Sequence, residues 1–476
     1  MSLRKMAYIM CCFILMCLFI ASCATKTIDT GEMALESAKL SSMEYNKDSV
    51  KSIIVKAKPL IEEISGLTYK KEIKFSFVKR KAYRDLFADG LSPMYEKLMK
   101  GADRNTIDRQ VDAIAHQTSQ VSMGMYFPRE ETIFLVPENA KENLERYEIK
   151  EEDVQDFLSL FVIYRMVSVL DDQHFNLMEK ADTSDMEASN AFRSLTEGHA
   201  VYVTDKVAER LKLSEAAKDA YLKCIAGITD ETNPVQQQTF NLRYVKGKEF
   251  VDKIINKNGI QGIKQAFASP PVSMRQIMNP DDYLSKPNEV AFDCLALMKK
   301  VAQKLPIEGM QSQSASVDSM RLNAILVSQG LTSEDADSIT SDCLGGAAVN
   351  AAKQAQIPIV VSATVLNFTD HDAVVNYVTL TRKMEQASRA QVNAMLNAEV
   401  KVIEENDTSE LDGFDAARYL QAEQTVDGKV TKSYSAEGIV GNFYISIAFI
   451  NPEKEPNEEN ALDILTEINK ERMSMM

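Results

Sequence analysis

Apolar residues recur at two different periods along the chain, and the change of period separates a helical region from a mixed region. From residue 48 to residue 290 the spacing is mostly helical, beginning with Val50, Ile53 and Ile54. Within this helical region, β-like runs at residues 123–127 and 132–136 are close enough to predict a hairpin. Helices are predicted over residues 153–181, 184–211, 214–227, 243–258 and 262–267.

The helix predicted over residues 153–181 has an acidic first turn, which suits the positive end of a helix dipole. Its apolar residues form a stripe made of Leu158, Phe161, Val162, Met166, Val169 and Leu170. A stripe of this kind predicts a helix that packs one face against a core.

The pattern changes after three prolines, at residues 270, 271 and 280. A helix is predicted over residues 288–305, and the Gly-, Gln- and Ser-rich residues 309–316 predict a linker. Beyond it the pattern predicts strands over residues 357–368, 400–404, 416–424, 429–435 and 438–450, with helices over residues 371–398 and 461–472.

The predicted fold class is therefore α+β. A predominantly helical domain with a small sheet occupies residues 48–290, a helix and linker follow at residues 291–316, and a smaller α+β module occupies residues 317–476. Composition is that of a globular protein, with 45% hydrophobic and 26% charged residues. The 69 acidic and 54 basic residues give a formal net charge of −15, which argues against binding to a nucleic-acid backbone.

The first 22 residues have the features of a secretory signal peptide, in which Arg4 and Lys5 precede an apolar run of about 15 residues. The run ends in Ile20-Ala21-Ser22-Cys23, which resembles the bacterial lipobox. The resemblance implies cleavage before Cys23, lipidation of that residue, and a polar tether over residues 23–47. It also implies an exported protein anchored to a bacterial membrane, facing the periplasm or outer membrane if there are two. A plain signal peptide is the alternative.

The segment from Tyr164 to Leu177 resembles the signature helix of a family of exported bacterial zinc-metallopeptidase-like proteins, whose pattern reads roughly H-E-L-V-H-A-L-Q-D-Q-H-F-D-L. The matching residues are Leu170, Asp172, Gln173, His174, Phe175 and Leu177. Later landmarks of the family match Glu197 with Gly198, Tyr244 with Gly247, Phe250 and Val251, and finally Pro270, Pro271, Ser273, Gln276, Ile277, Pro280 and Tyr283.

This resemblance covers about residues 120–285 and implies a metallopeptidase-like fold, with the strand at residues 132–136 along the active-site cleft. The zinc chemistry of such a fold needs two histidines at i and i+4, a general-base glutamate and a third ligand. Tyr164 and Ser168 replace the two histidines, Arg165 replaces the glutamate, and only the presumed third ligand, Glu197, is present. No catalytic residue, metal or cofactor is therefore predicted.

Opposite charges suggest that Arg165 and Glu197 form an ion pair in place of the metal, the alternative being that Arg165 extends to solvent. His174 is predicted to be a structural hydrogen-bonding residue, and His199 to point away from Glu197. The neighbouring Asp171 and Asp172 are predicted to point apart and to be solvated or to cap the helix. Cys343 is predicted to be a buried thiol, and Cys224, Cys294 and Cys343 allow at most one disulfide.

Three functions remain open on the sequence alone. The first is a catalytically inactive, lipid-anchored metallopeptidase homologue that binds a peptide or protein in its degenerate cleft, or acts as a scaffold in the cell envelope. The second is a hydrolase with a relocated site, which requires His, Asp and Glu residues to converge near Glu197. The third is a structural surface lipoprotein whose cleft is filled by Tyr164.

Overall fold

The computed structural model describes residues 45–98, 103–180, 186–228, 233–285, 292–305, 309–353, 359–396, 399–408, 411–426, 429–452 and 455–476. The signal peptide, Cys23 and nearly all of the tether lie outside these residues. The chain divides into two compact units. The N-terminal unit comprises the described residues up to Val272 together with residues 276–285, and the C-terminal unit comprises Ser273–Arg275 and residues 292–476. None of the described helices is long and apolar enough to cross a bilayer.

The N-terminal unit is helical with one small sheet. Its elements are α1 (Lys47–Ser65), β1 (Lys74–Phe77), α2 (Arg80–Leu98), α3 (Arg104–Val121), β2 (Gly124–Phe127), β3 (Thr132–Leu135), α4 (Pro137–Arg146), α5 (Val154–Phe175), α6 (Leu177–Lys180), α7 (Met186–Leu211), α8 (Glu215–Ala226), α9 (Pro234–Phe240), a π-helix (Asn241–Val245) and α10 (Lys246–Ala268). Two short helices follow, α11 (Met274–Met278) and α12 (Pro280–Ser285).

The C-terminal unit is built on an antiparallel sheet. Its elements are α13 (Cys294–Ala302), β4 (Gln311–Val317), α14 (Ser319–Ser328), α15 (Ser333–Asp342), β5 (Cys343–Lys353), β6 (Ile359–Phe368), α16 (His371–Leu396), β7 (Glu399–Thr408), β8 (Ala416–Val426), β9 (Lys429–Val440), β10 (Phe443–Ile450) and α17 (Glu458–Met473). In the described residues the strand order is β4-β5-β6-β10-β9-β8-β7. Helices α13 and α17 cover one apolar face, and α14 to α16 cover the other. The α+β fold class is thus confirmed.

Helix α5 forms the centre of the N-terminal unit and is buried on all its faces. Every residue from Phe157 to Val167 is buried, because α1, α7, α8 and the β2–β3 hairpin surround the helix. The prediction of a single apolar stripe was therefore wrong, since a helix enclosed by neighbours has no solvent face to distinguish. The helix also ends earlier than residue 181, at Phe175, because Asn176 takes a left-handed conformation with φ 51°.

The small sheet has the order β1-β3-β2, so that β3 lies in the middle. The predicted hairpin is confirmed, with Gly124–Phe127 antiparallel to Thr132–Leu135. However, β1 pairs parallel with the other side of β3 and occupies its free edge. The strand expected along a cleft therefore has no edge open to a peptide, and only β1 and β2 could be extended by another strand.

Two segments of the C-terminal half that were predicted to lie outside strands are themselves part of strands. Residues 309–316 were expected to form a linker, but Gln311–Val317 pairs along β5 as an edge strand. Strands β9 and β10 turn at Gly441, whose φ is 58°, rather than near residue 436. Backbone pairing thus assigns strand conformation to segments whose own composition does not favour it.

The close crossing of α7 and α10 positions two residues of the candidate site, Glu197 on α7 and Tyr244 just before α10. At this crossing Gly198 of α7 lies against Gly247 of α10, and a Cβ on Gly198 would overlap the Gly247 carbonyl. A Cβ on Gly247 would overlap the carbonyl oxygen of Ser194, so both backbones approach as closely as glycine permits. The predicted helices over residues 243–258 and 262–267 are here one element, Lys246–Ala268, broken only at Gly259, whose φ is 62°.

We expect Gly198→Ala and Gly247→Ala each to lower the free energy of unfolding by about 1–3 kcal/mol, because the added methyl group must separate two packed backbones. Urea denaturation measures the change. Gly90→Ala is the matched control, since Gly90 lies in α2 with nothing within 4 Å of the place that a methyl group would occupy. That control should gain about 0.5–1 kcal/mol. Equal effects at all three positions would contradict the crossing.

Candidate functional site

The candidate site begins with a hydrogen bond between α5 and α7. The hydroxyl of Tyr164 donates to Oε2 of Glu197, and the Tyr164 side chain is only 1% exposed. Burial raises the pKa of Tyr164 well above its usual value, and the charge of Glu197 raises it further. Tyr164 therefore acts as a neutral donor to a carboxylate, an arrangement stabilised by charge assistance. The expected ion pair between Arg165 and Glu197 is not formed.

Arg165 lies in the core of the unit without a counter-ion. It is 8% exposed, so it does not extend to solvent either. Its guanidinium carbon stands 5.2 Å from the ring centroid of Phe161 and 4.8 Å from that of Tyr164. The Nε atom is buried without a hydrogen-bond partner. Cation–π contacts of this kind offset only a fraction of the cost of burying a charge.

Ser168 stays within its own helix, where its hydroxyl donates to the carbonyl oxygen of Tyr164 at 3.3 Å. It does not contact Glu197. No group of three or more His, Cys, Asp or Glu side chains that could hold a metal ion occurs among the described residues. Of the four residues at the positions of the zinc site, Tyr164 and Glu197 bond to each other. Arg165 has no counter-ion among the described residues, and Ser168 bonds only within its own helix.

Two further arginines lie beside this pair, and neither was predicted from the sequence. Arg193 precedes Glu197 by four residues and so shares its face of α7. It is exposed to solvent, and within the described part of the chain it donates to Met94 Sδ, at 3.9 Å. Arg243 belongs to the π-helix, and its Nε is buried without a partner. The i, i+4 spacing of Arg193 and Glu197 was the only sequence signal for this cluster.

The three guanidinium groups act on one common residue, Tyr244. Its hydroxyl donates to the carbonyl oxygen of Ile225 at 3.1 Å. Burial raises the pKa of Tyr244 and Glu197 raises it further, whereas Arg243, Arg165 and Arg193 all lower it. Within the described residues, no carboxylate oxygen lies within 4.0 Å of any of these arginines. We name the group formed by Arg165, Arg193 and Arg243 the arginine recess.

A second buried pair joins α5 to α7 nearby. His199 Nδ1 lies 2.9 Å from Asp171 Oδ2, and both residues are 1% exposed. Burial raises the pKa of Asp171, and the interaction with His199 partly lowers it again. The prediction that Asp171 is solvated was wrong, because tertiary packing encloses the end of α5. His199 also packs edge-on against Phe267, so this pair has no access to solvent and does not reach Glu197.

Asp172 points away from Asp171, as predicted, and fixes the end of α5. Its carboxylate accepts from the Tyr126 hydroxyl at 2.7 Å and from the backbone N–H of Leu177 at 3.0 Å. Asp172 thus connects α5 to strand β2 and to α6.

The other residues that match the zinc-peptidase pattern at the end of α5 fix the position of the loop before β1. Gln173 Oε1 accepts from the backbone N–H groups of Lys70 and Lys71, at 2.8 and 3.2 Å. His174 Nε2 lies 2.8 Å from the Thr68 carbonyl oxygen, so the prediction of a structural hydrogen-bonding histidine is confirmed. Phe175 stacks on Phe267 with a centroid distance of 4.2 Å.

The remaining matched residues also serve packing. Tyr283 donates to the Ser269 carbonyl oxygen at 2.8 Å and packs against Phe250. Pro280 begins α12, where a missing N–H costs nothing. Of the other positions, Pro270 is partly exposed, whereas Pro271 and Ser273 are buried.

The three described cysteines, Cys224, Cys294 and Cys343, are free and buried. The prediction of a buried thiol at Cys343 is confirmed. Burial raises the pKa of Cys224 to about 12 and that of Cys294 to about 12. Burial thus disfavours the thiolate form that a nucleophilic cysteine needs.

Comparison with known proteins identifies no family. No family model matches the chain, and no curated protein matches it. Among solved structures, one described as "a putative hydrolase with a novel fold from Chloroflexus aurantiacus" aligns with a TM-score of 0.37 and 18% identity, over 51% of this chain and 90% of that one.

We expect His199→Leu to destabilise the protein by about 3–5 kcal/mol, because it leaves the Asp171 carboxylate buried and unpaired. The double variant Asp171→Leu with His199→Leu should recover most of that loss. Urea denaturation of both singles and the double gives the coupling energy. His371→Leu is the control, because the exposed His371 lies 3.7 Å from Asp415 and its loss should cost less than about 0.5 kcal/mol. Additive effects of the two buried substitutions would contradict the pairing.

Tyr164 predicts a specific alkaline sensitivity. Unfolded Tyr164 ionises near its usual pKa of 10.0, whereas burial holds the folded hydroxyl neutral. Its contribution to stability is therefore present below that pH and is lost as the pH rises above it. Tyr164→Phe should lower the free energy of unfolding by about 1–2 kcal/mol at neutral pH. Above pH 10 the free energy of unfolding of the natural protein should fall more steeply than that of the variant, by up to about 1.4 kcal/mol per pH unit. If the free energies of unfolding of the two proteins changed in parallel with pH, Tyr164 would not be a buried neutral donor.

Proposed function

We propose that the protein is an exported, lipid-anchored and catalytically inactive metallopeptidase homologue that acts in the bacterial cell envelope by binding or scaffolding. One observation carries this proposal, the contact between Tyr164 and Glu197. These are the positions of the first and third metal ligands in the zinc-peptidase pattern that the sequence resembles. Their side chains meet in the core, as ligands of one metal would.

The residues at the remaining positions argue for a role without hydrolysis. Arg165 stands where the general base would stand, and a permanent cation there opposes both zinc binding and proton abstraction. Ser168 is one helical turn after Tyr164 and offers only a hydroxyl bonded to its own backbone. On this proposal, the helices that build such a site are kept and the groups that would perform the chemistry are replaced.

Export and anchoring rest on the N-terminal sequence, where a basic start, an apolar run and Ile20-Ala21-Ser22-Cys23 occur in order. A lipid on Cys23 would hold the folded units at a membrane surface without a spanning helix.

One observation favours a second candidate, a purely structural surface lipoprotein. The Tyr164 ring fills the place where metal ligands would converge and is almost completely buried. Against this, the neighbouring Arg193 remains exposed, so the region beside Glu197 is open to solvent. The binding role accounts for both features.

Rebuilding the metal site tests the proposal. We expect the triple variant Tyr164→His, Arg165→Glu and Ser168→His to bind about one zinc per chain, because Glu197 already lies beside position 164. The natural chain should hold almost none after incubation with zinc and dialysis. Elemental analysis of the purified, folded proteins measures the zinc content per chain of the variant and of the natural protein.

The control adds Glu197→Gln to the triple variant, which should remove the metal by deleting the third ligand. A folded triple variant without zinc would show that the helices are not arranged as in a metallopeptidase. One tightly held zinc in the natural chain, lost on Glu197→Gln, would overturn the inactive assignment and make peptide hydrolysis the next assay.

A further inference from the structure

We infer that the arginine recess binds an oxyanion, a carboxylate or phosphate group of the ligand that the protein recognises. This inference deepens the proposed binding role and rests on it. The observations behind it are the buried Arg165 without a counter-ion and the Nε atoms of Arg165 and Arg243, both buried without a hydrogen-bond partner.

Arg165 is an uncompensated charge in the core, since it is 8% exposed and has no carboxylate within 4.0 Å among the described residues. Such a charge costs several kcal/mol in a fold that gains nothing else from it. The orphaned Nε and the buried Tyr45 hydroxyl, which also lacks a partner and lies within electrostatic range of Arg165, leave two donors unused. A bound anion would satisfy both the charge and the hydrogen-bonding requirement.

The local charges also favour an anion. Arg165, Arg193 and Arg243 all lower the pKa of Tyr244, and Glu197, which raises it, is already bonded to Tyr164. Among the described residues no carboxylate oxygen lies within 4.0 Å of these arginines, although the chain as a whole has a net charge of −15.

One of the three arginines lies on an unusual backbone conformation. Arg243 belongs, with Tyr244, to a π-helix, a rare conformation that is enriched at functional sites. The Nε of Arg243 is a further buried donor without a partner. A guanidinium group has a planar fork that matches the two oxygens of a carboxylate or phosphate. Arg193 is the member of the recess whose side chain is exposed to solvent.

Calorimetric titration of the full chain with three probes tests the inference. The probes are inorganic phosphate, N-acetyl-trialanine with a free carboxylate, and its C-terminal amide. We expect the amide not to bind and at least one oxyanion to bind, more weakly as the salt concentration rises. Binding of phosphate alone assigns a phosphate group, and binding of the free peptide assigns a carboxylate.

Substitutions locate the site. We expect Arg165→Met and Arg243→Met each to weaken the bound oxyanion about tenfold or more, through loss of a charge-assisted hydrogen bond. Arg210→Met is the control, because Arg210 lies on the same α7 helix as Arg193 but is exposed and paired with Glu63 at 3.3 Å. It should leave affinity unchanged.

Stability without ligand provides an independent readout. Arg165→Met should raise the melting temperature of the ligand-free protein, because it removes an unpaired buried charge while keeping much of the side-chain volume. A large decrease would mean that Arg165 is structural and would overturn the inference. So would the absence of oxyanion binding, or affinity that persists in both Arg165→Met and Arg243→Met. These failures concern anion binding alone, whereas failure of the proposed function appears as zinc in the natural chain.

Discussion

The close crossing of two glycines, Gly198 and Gly247, is the constraint on which the candidate site depends. It allows α7 and α10 to approach until their backbones are in contact, which no other residue would permit. Residues just before each glycine, Glu197 on α7 and Tyr244 ahead of α10, are thereby held against the buried helix α5. Both glycines belong to motifs that resemble a metallopeptidase family, and their structural role does not depend on any metal.

Two side-chain contacts join the buried helix α5 to α7. In the first, the hydroxyl of Tyr164 donates to the carboxylate of Glu197. The buried His199–Asp171 pair forms a second link between the same helices. These bonds can hold α5 and α7 together, which leaves Arg165 with no structural partner. A cation kept without a partner in a core is more readily explained by binding than by stability.

The sequence was a good guide where local chemistry decides structure. The helix at Glu215–Ala226 begins after Ser214 and ends before Gly227, as capping residues predict. Prediction failed where tertiary contacts decide. Strand β4 has a composition typical of a linker and becomes a strand only by pairing with β5. At the site, the resemblance implied that positions 164 and 197 converge, but neither the pairing of Asp171 with His199 nor the lack of a counter-ion for Arg165 among the described residues was predictable, because charge complementarity does not fix side-chain direction.

The most direct measurement is a crystal structure of the full chain soaked in selenate, with anomalous scattering recorded at the selenium edge. Selenate is an oxyanion with the shape of phosphate, and its selenium atom gives a position that does not depend on interpretation of weak density. We expect a selenium peak within hydrogen-bonding reach of Arg165 and Arg243, with Tyr164 still bonded to Glu197. An ordered recess without a peak, while selenate binds elsewhere on the same molecules, would contradict it.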